Sequence, residues 1–120
     1  MTKACYVSPL DLPPTTVDIM WLAGLLEGEA CFYFHKFCGV INMNSTDRDV
    51  LEQVSKITGG TINDYNYPNR GGSRKPAWQL CLSGYRARRV MEEILPYMGV
   101  RRAEKIMTIL SKPHWGWKGT

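Results

Sequence analysis

Several things are missing from this sequence, and each absence removes a class of protein. The longest apolar run, IMWLAGLL, is far shorter than the roughly 20 residues that a bilayer-spanning helix needs. No charged, apolar and small-residue series marks a signal peptide, so the expectation is a chain that is neither secreted nor membrane-bound. Histidine occurs only twice, at His35 and His114, and neither stands at ligand spacing from a cysteine. The four cysteines, Cys5, Cys31, Cys38 and Cys81, form no Cys-x-x-Cys pair, which argues against zinc and for reduced thiols. There is no clear internal repeat. Nor is any long stretch depleted of aliphatic and aromatic residues, as a disordered chain would be. Acidic residues are absent from Arg70 to Val90, where Arg70, Arg74, Lys75, Arg86, Arg88 and Arg89 all fall.

What is present suits one domain with a modest core: 120 residues, 44% of them hydrophobic. The net charge is +4 and the pI about 9.0, so the surface favours an anionic partner. Tyr65, Tyr67 and Trp78 interleave with the first basic cluster, and Arg101, Arg102 and Lys105 make a second. Aromatic residues among cations suit nucleic acid better than a plain solvated face does.

The pattern of apolar positions predicts α-β-β-α-β-β-α, an α+β fold with helices on one face of an antiparallel sheet. After Pro13-Pro14, Thr15 or Thr16 caps a helix running from about Val17 to Glu27, with Asp18 in its first turn. ACFYFHK and VINMN read as a hairpin joined tightly through FCG. STDRDVLEQVSKITGG is a second helix, capped by Ser45 or Thr46, with Val50, Leu51, Val54 and Ile57 as its stripe and Gly59-Gly60 as its stop. TINDYNY and AWQLCLS form a second hairpin across the polar loop PNRGGSRKP. GYRARRVMEEILPYM is helical until Pro96, and a last helix follows Gly99. The domain is placed at 15–112, between an irregular segment at 1–14 and a tail at 113–120.

The first helix ends in a way that asks for an explanation. Gly24 and Gly28 share one helix face, with Ala23 nearby, and each glycine costs about 1 kcal/mol of helix stability relative to alanine. Glu27 and Glu29 meet the negative end of the helix dipole, at a cost of roughly a few tenths of a kcal/mol. A smooth glycine face permits close approach of a second copy of the same helix. In a symmetric dimer the two Glu29 carboxylates then approach each other, which is unfavourable unless a divalent cation lies between them. Mg²⁺ (or Mn²⁺) takes carboxylate oxygens and suits phosphodiester hydrolysis.

LAGLLEGEA, Leu22 to Ala30, resembles the nine-residue signature of the LAGLIDADG homing endonuclease family, and the element order is similar to that family's core from about Val17 to Leu110. The resemblance implies a homodimer joined by the motif helices through Ala23, Gly24 and Gly28. It implies a saddle-shaped sheet lying in the major groove of double-stranded DNA, and metal-dependent cleavage of both strands that leaves short 3′ overhangs, as in intron homing. Glu29, at the eighth motif position, would be the metal-binding acid, with the Ala30 backbone carbonyl as a further metal ligand. Asn44 and Arg48 would order active-site water, and Arg101 would approach the scissile phosphate, with Arg102 and Lys105 as alternatives. Period-two alternation turns Phe32, Phe34, Ile41, Met43, Leu80 and Leu82 toward the helices. It turns Tyr33, His35, Asn42, Thr61, Asn63, Tyr65, Lys75 and Gln79 toward DNA, with Arg70 and Arg74 nearby in the polar loop. Asn and Gln suit adenine edges, while Lys and Arg suit guanine or phosphate.

Two departures from the family pattern stand out. Alanine occupies the ninth motif position, where glycine is usual, and the first hairpin is short. They keep in view a non-cleaving relative of the fold, such as an RNA maturase or a DNA-binding regulator. A small interaction module without nucleic acid would make the motif a coincidence. The expected location is cytoplasmic, in a bacterium or phage-infected cell, or organellar.

Overall fold

Thr15 and Asp18 settle where the first helix begins. The Asp18 amide donates to Thr15 Oγ1 at 3.0 Å and the Thr15 amide donates to Asp18 Oδ2 at 3.1 Å, a reciprocal capping box. The computed structural model describes residues 14–64 and 76–112. Helix α1 is Thr16–Glu29, two residues longer at its end than expected, because the Ala30 amide still bonds back to the Leu26 carbonyl. Strand β1, Ala30–His35, follows with no intervening loop, and β2 is Cys38–Ser45. The connection between them is Lys36 and Phe37 alone. Cys38 and Gly39, expected in the turn, are already in β2, and Lys36 takes φ 58, as tight two-residue hairpins require.

Helix α2 is Arg48–Thr58. Its N-cap is Asp47, whose side chain makes no capping bond. Ser45, expected as the cap, ends β2 instead, and its hydroxyl accepts from the Asp47 amide at 2.9 Å. Gly59, at φ 81, ends the helix in the left-handed conformation that favours glycine. Gly60 is required for another reason: a Cβ there would sit 3.2 Å from the Leu80 and Leu82 side chains. Strands β3, Thr61–Asp64, and β4, Trp78–Ser83, come next. Helix α3, Gly84–Ile94, gives way to a 3-10 turn at Leu95–Tyr97 containing Pro96, and α4 is Val100–Leu110.

The four strands form one antiparallel sheet in the order β1-β2-β4-β3, so the two hairpins meet at β2 and β4. Phe32, Ile41, Met43, Leu80 and Leu82 face the helices and are buried against Leu22, Leu26, Leu51, Val54, Met91 and Ile106. Each such side chain contributes about 1.5–3 kcal/mol by leaving water. Among the described residues no helix is long and apolar enough to cross a membrane. The expected N-terminal segment up to residue 13, the polar loop at 65–75 and the tail at 113–120 lie outside the described residues, and with them Cys5, His114, Tyr65, Tyr67, Arg70, Arg74 and Lys75.

Candidate active site and nucleic-acid interface

Glu29 is the last residue of α1. It is exposed, and its carboxylate has no hydrogen-bond or ion-pair partner among the described residues. The helix face leading to it is unusual. Gly24 and Gly28 are exposed, and a Cβ added to either would meet nothing within 4 Å. Packing among the described residues therefore does not offset their cost to the helix. The same side of α1 exposes Val17 at 74%, Met20 at 53% and Trp21 at 41%. Ala23 belongs elsewhere: it is buried in the core with Ile19, Leu22 and Leu26, which corrects its grouping with the glycines. Both faces of α1 are thus apolar, and one has no partner among the described residues.

Helix α4 ties down both flanks of Glu29. The Gly99 amide, at the α4 N-cap, donates to Glu27 Oε1 at 3.0 Å. Arg102 Nη1 donates to the Ala30 carbonyl at 2.6 Å, and its guanidinium lies 5.5 Å from the centre of the Phe32 ring. The hairpin explains why that carbonyl is reachable. A two-residue turn makes His35 and Cys38 a hydrogen-bonded pair, and alternation then points the Ala30 backbone groups to the open edge of β1. The carbonyl expected to ligate metal already accepts a hydrogen bond from Arg102. Arg101 is exposed beside it. Arg101, Lys105 and Cys31 line an open cleft of about 420 Å³ between α4 and β1.

Asn44 and Arg48 are not joined by a hydrogen bond. Arg48 Nε donates to Glu52 Oε2 at 3.0 Å, and the guanidinium lies 5.6 Å from the Trp78 ring centre. Asn44 is exposed on the outer face of β2, one residue beyond Met43, the partner of Ala30, and so at the same end of the sheet as Glu29. Among the described residues no group of three or more His, Cys, Asp or Glu could hold a metal ion.

Among the described residues, the outer face of the sheet carries six of the side chains expected there, in the expected phase. Tyr33, His35, Thr61 and Asn63 are exposed, and Asn42 and Gln79 are half-buried. Asn42 is spent locally, since its Nδ2 donates to the Tyr33 hydroxyl at 2.7 Å and its Oδ1 is buried without a partner. The register sets Asn44 opposite Gln79 and Gln79 opposite Asn63, a row of three carboxamides across β2, β4 and β3. Asn44 is in phase with Asn42 along β2, so alternation alone was enough to find it as a sheet-face residue. The roles of Glu27 and Arg102 had no such signal, because their partners are 72 residues away. The outer face also holds Cys31, Cys38 and Cys81. Burial, and then the neighbouring Cys38, push the Cys81 thiol up from its ordinary value.

The fold has solved counterparts. The chain is similar to the homing endonuclease I-CvuI in complex with its target in the presence of calcium, with a TM-score of 0.58 and 19% identity over 79% of this chain and 64% of that one. It is also similar to the same enzyme in complex with the I-CreI target in the presence of magnesium, where the DNA was not cleaved: TM-score 0.57, 19% identity, 78% of this chain and 64% of that one. The matched part therefore spans less than two thirds of each neighbour. No protein-family model and no curated protein matches the sequence. At this identity the likeness is one of fold, and the fold is that of the homing endonucleases.

Proposed function

We propose that this chain is a site-specific double-stranded DNA endonuclease of LAGLIDADG type, acting as a homodimer joined through α1. The observation that carries the reading is the unpacked Gly24–Gly28 face, which ends at the exposed Glu29 beside a polar sheet face. The DNA complexes of the structural neighbours support it. Two copies of α1 meeting at the glycines would bring two Glu29 carboxylates together at the dimer axis.

The donor set suits Mg²⁺ or Mn²⁺. A free carboxylate from each subunit, with waters and DNA phosphates completing the shell, is the kind of site magnesium takes. The Ala30 carbonyl would offer only the lone pair that Arg102 leaves free. When bound, such an ion lowers the pKa of a water and offsets charge on the leaving oxygen. The chain's own groups do the rest. Arg101, with Lys105 in the same cleft, would hold the scissile phosphate and stabilise its developing charge. Asn44, at the same end of the sheet, would orient the attacking water. Arg48 would assist only after releasing Glu52, since the two form an exposed pair worth about 0.3–0.5 kcal/mol.

The test is cleavage of a randomised duplex library by the wild type and by Glu29→Gln, with Mg²⁺ added. The expected result is short uniform 3′ overhangs from the wild type, no cutting by the variant, and duplex binding by both. Binding by the wild type without any cutting would leave the non-cleaving reading, a DNA-binding regulator or maturase on this scaffold, in its place.

A further inference from the structure

The row Asn44, Gln79 and Asn63 crosses three adjacent strands at one register level, starting at the end of the sheet where Glu29 sits. None of the three carboxamides has a hydrogen-bond partner among the described residues, unlike Asn42 in the next row, which is held by Tyr33. Strand spacing of about 4.8 Å sets neighbouring amides between one and two base-pair steps of about 3.4 Å apart. A carboxamide presents one donor and one acceptor side by side, matching N6 and N7 of adenine in the major groove. Its surroundings on the outer face are Cys31, Tyr33, His35, Cys38, Val40, Cys81, Thr61 and Ser83. Among the described residues no strand position on that face holds Lys or Arg, the side chains that read guanine, or Asp or Glu, which read cytosine. Cations among the described residues stand at the margins instead: Lys36 at the hairpin tip, Arg48 at the start of α2, and Arg101 and Lys105 on α4. Phosphate contacts would therefore position the sheet from its edges, and the neutral amides would read the bases between.

We infer that Gln79 and Asn63, continuing the row from Asn44, each read adenine in an A·T pair beside the cleavage position of each half-site. This inference rests on the endonuclease reading and specifies the DNA it takes. Selection of bound duplexes from a randomised pool, without Mg²⁺, tests it with the wild type, Gln79→Ala, Asn63→Ala and Gln79→Arg. The expected wild-type result is one A·T pair for each of Gln79 and Asn63 in every half-site, within one or two steps of each other. Each alanine variant should lose the preference at one of them while retaining affinity for random duplex. Gln79→Arg should switch its position to G·C by about tenfold. Circular dichroism of each variant checks that the outer-face changes leave the fold intact.

A wild-type site with G·C at these positions overturns the inference and leaves the nuclease reading standing. So does an A·T preference that survives both alanine variants, because DNA stiffness would then be what is read. A folded wild type that binds no duplex at all overturns the DNA reading and this inference together.

Discussion

Cys81 shows how one residue's surroundings set a measurable property. It sits on the outer face of β4, opposite Asn42 and Thr61, where half-burial first, and the Cys38 thiol second, raise its pKa above the ordinary value of 9.0. The folded state then holds the thiol proton more tightly than the unfolded state does. The resulting stabilisation is complete below the unfolded pKa and is lost as pH rises through the raised folded value. Urea melts of wild type and Cys81→Ala, compared from pH 7 upward, should show the wild type losing stability relative to the variant only above about pH 9. A constant difference across that range would mean that the thiol is not shifted. The sequence shows which cysteines are present, but the shift depends first on burial within the sheet, which only the tertiary structure supplies.

Glu27 shows what one element can do for another. At the end of α1 its carboxylate opposes that helix's own dipole. Helix α4, however, has no acidic residue in its first turn and no side-chain cap. Glu27 fills the gap by accepting the Gly99 amide, so the carboxylate that is misplaced for one helix is well placed at the N-terminus of the other. Glu27→Ala should therefore cost about 1 kcal/mol of stability, and Glu27→Gln less, as measured by chemical denaturation. Glu29→Gln should fall within about 0.5 kcal/mol of wild type, because Glu29 has no hydrogen-bond or ion-pair partner among the described residues. The neighbouring bond from Arg102 to Ala30 also covers part of the open edge of β1, where exposed backbone groups would otherwise invite another strand.

At the scale of the whole molecule, the exposed α1 face and the marginal cations make separate claims. Gly24→Leu adds a side chain where the described residues leave open space, so the subunit should still fold. The same side chain would separate two α1 helices, and sedimentation should show a monomer where the proposed reading has the wild type as a dimer. A variant that remains dimeric would place the interface on another surface. If Arg101 and Lys105 contact phosphates as proposed, each should contribute to the salt dependence of DNA binding. Replacing either with alanine should weaken all duplexes alike and reduce the slope of log K against log salt by about one. Loss of sequence preference without a change in slope would mark them as base readers instead.

The amino-acid sequence by itself determined the elements and their order. Apolar periodicity, Thr15–Asp18, Gly59 and Pro96 are local signals, and local backbone preferences respond to them without knowledge of distant neighbours. Alternation also determined which strand residues face outward, since that phase is a property of the extended chain. The prominence of Glu29 and the two glycines was readable because a helix spends stability to keep them. Tertiary structure alone decided the rest. It turned Ala23 into the core, paired β2 with β4 so that three amides align, gave Glu27 to α4 and gave the Ala30 carbonyl to Arg102. It also left Gly24 and Gly28 facing open space. These are pairings between residues distant in the chain, fixed by how helices and hairpins pack, and no local pattern encodes which of them will meet.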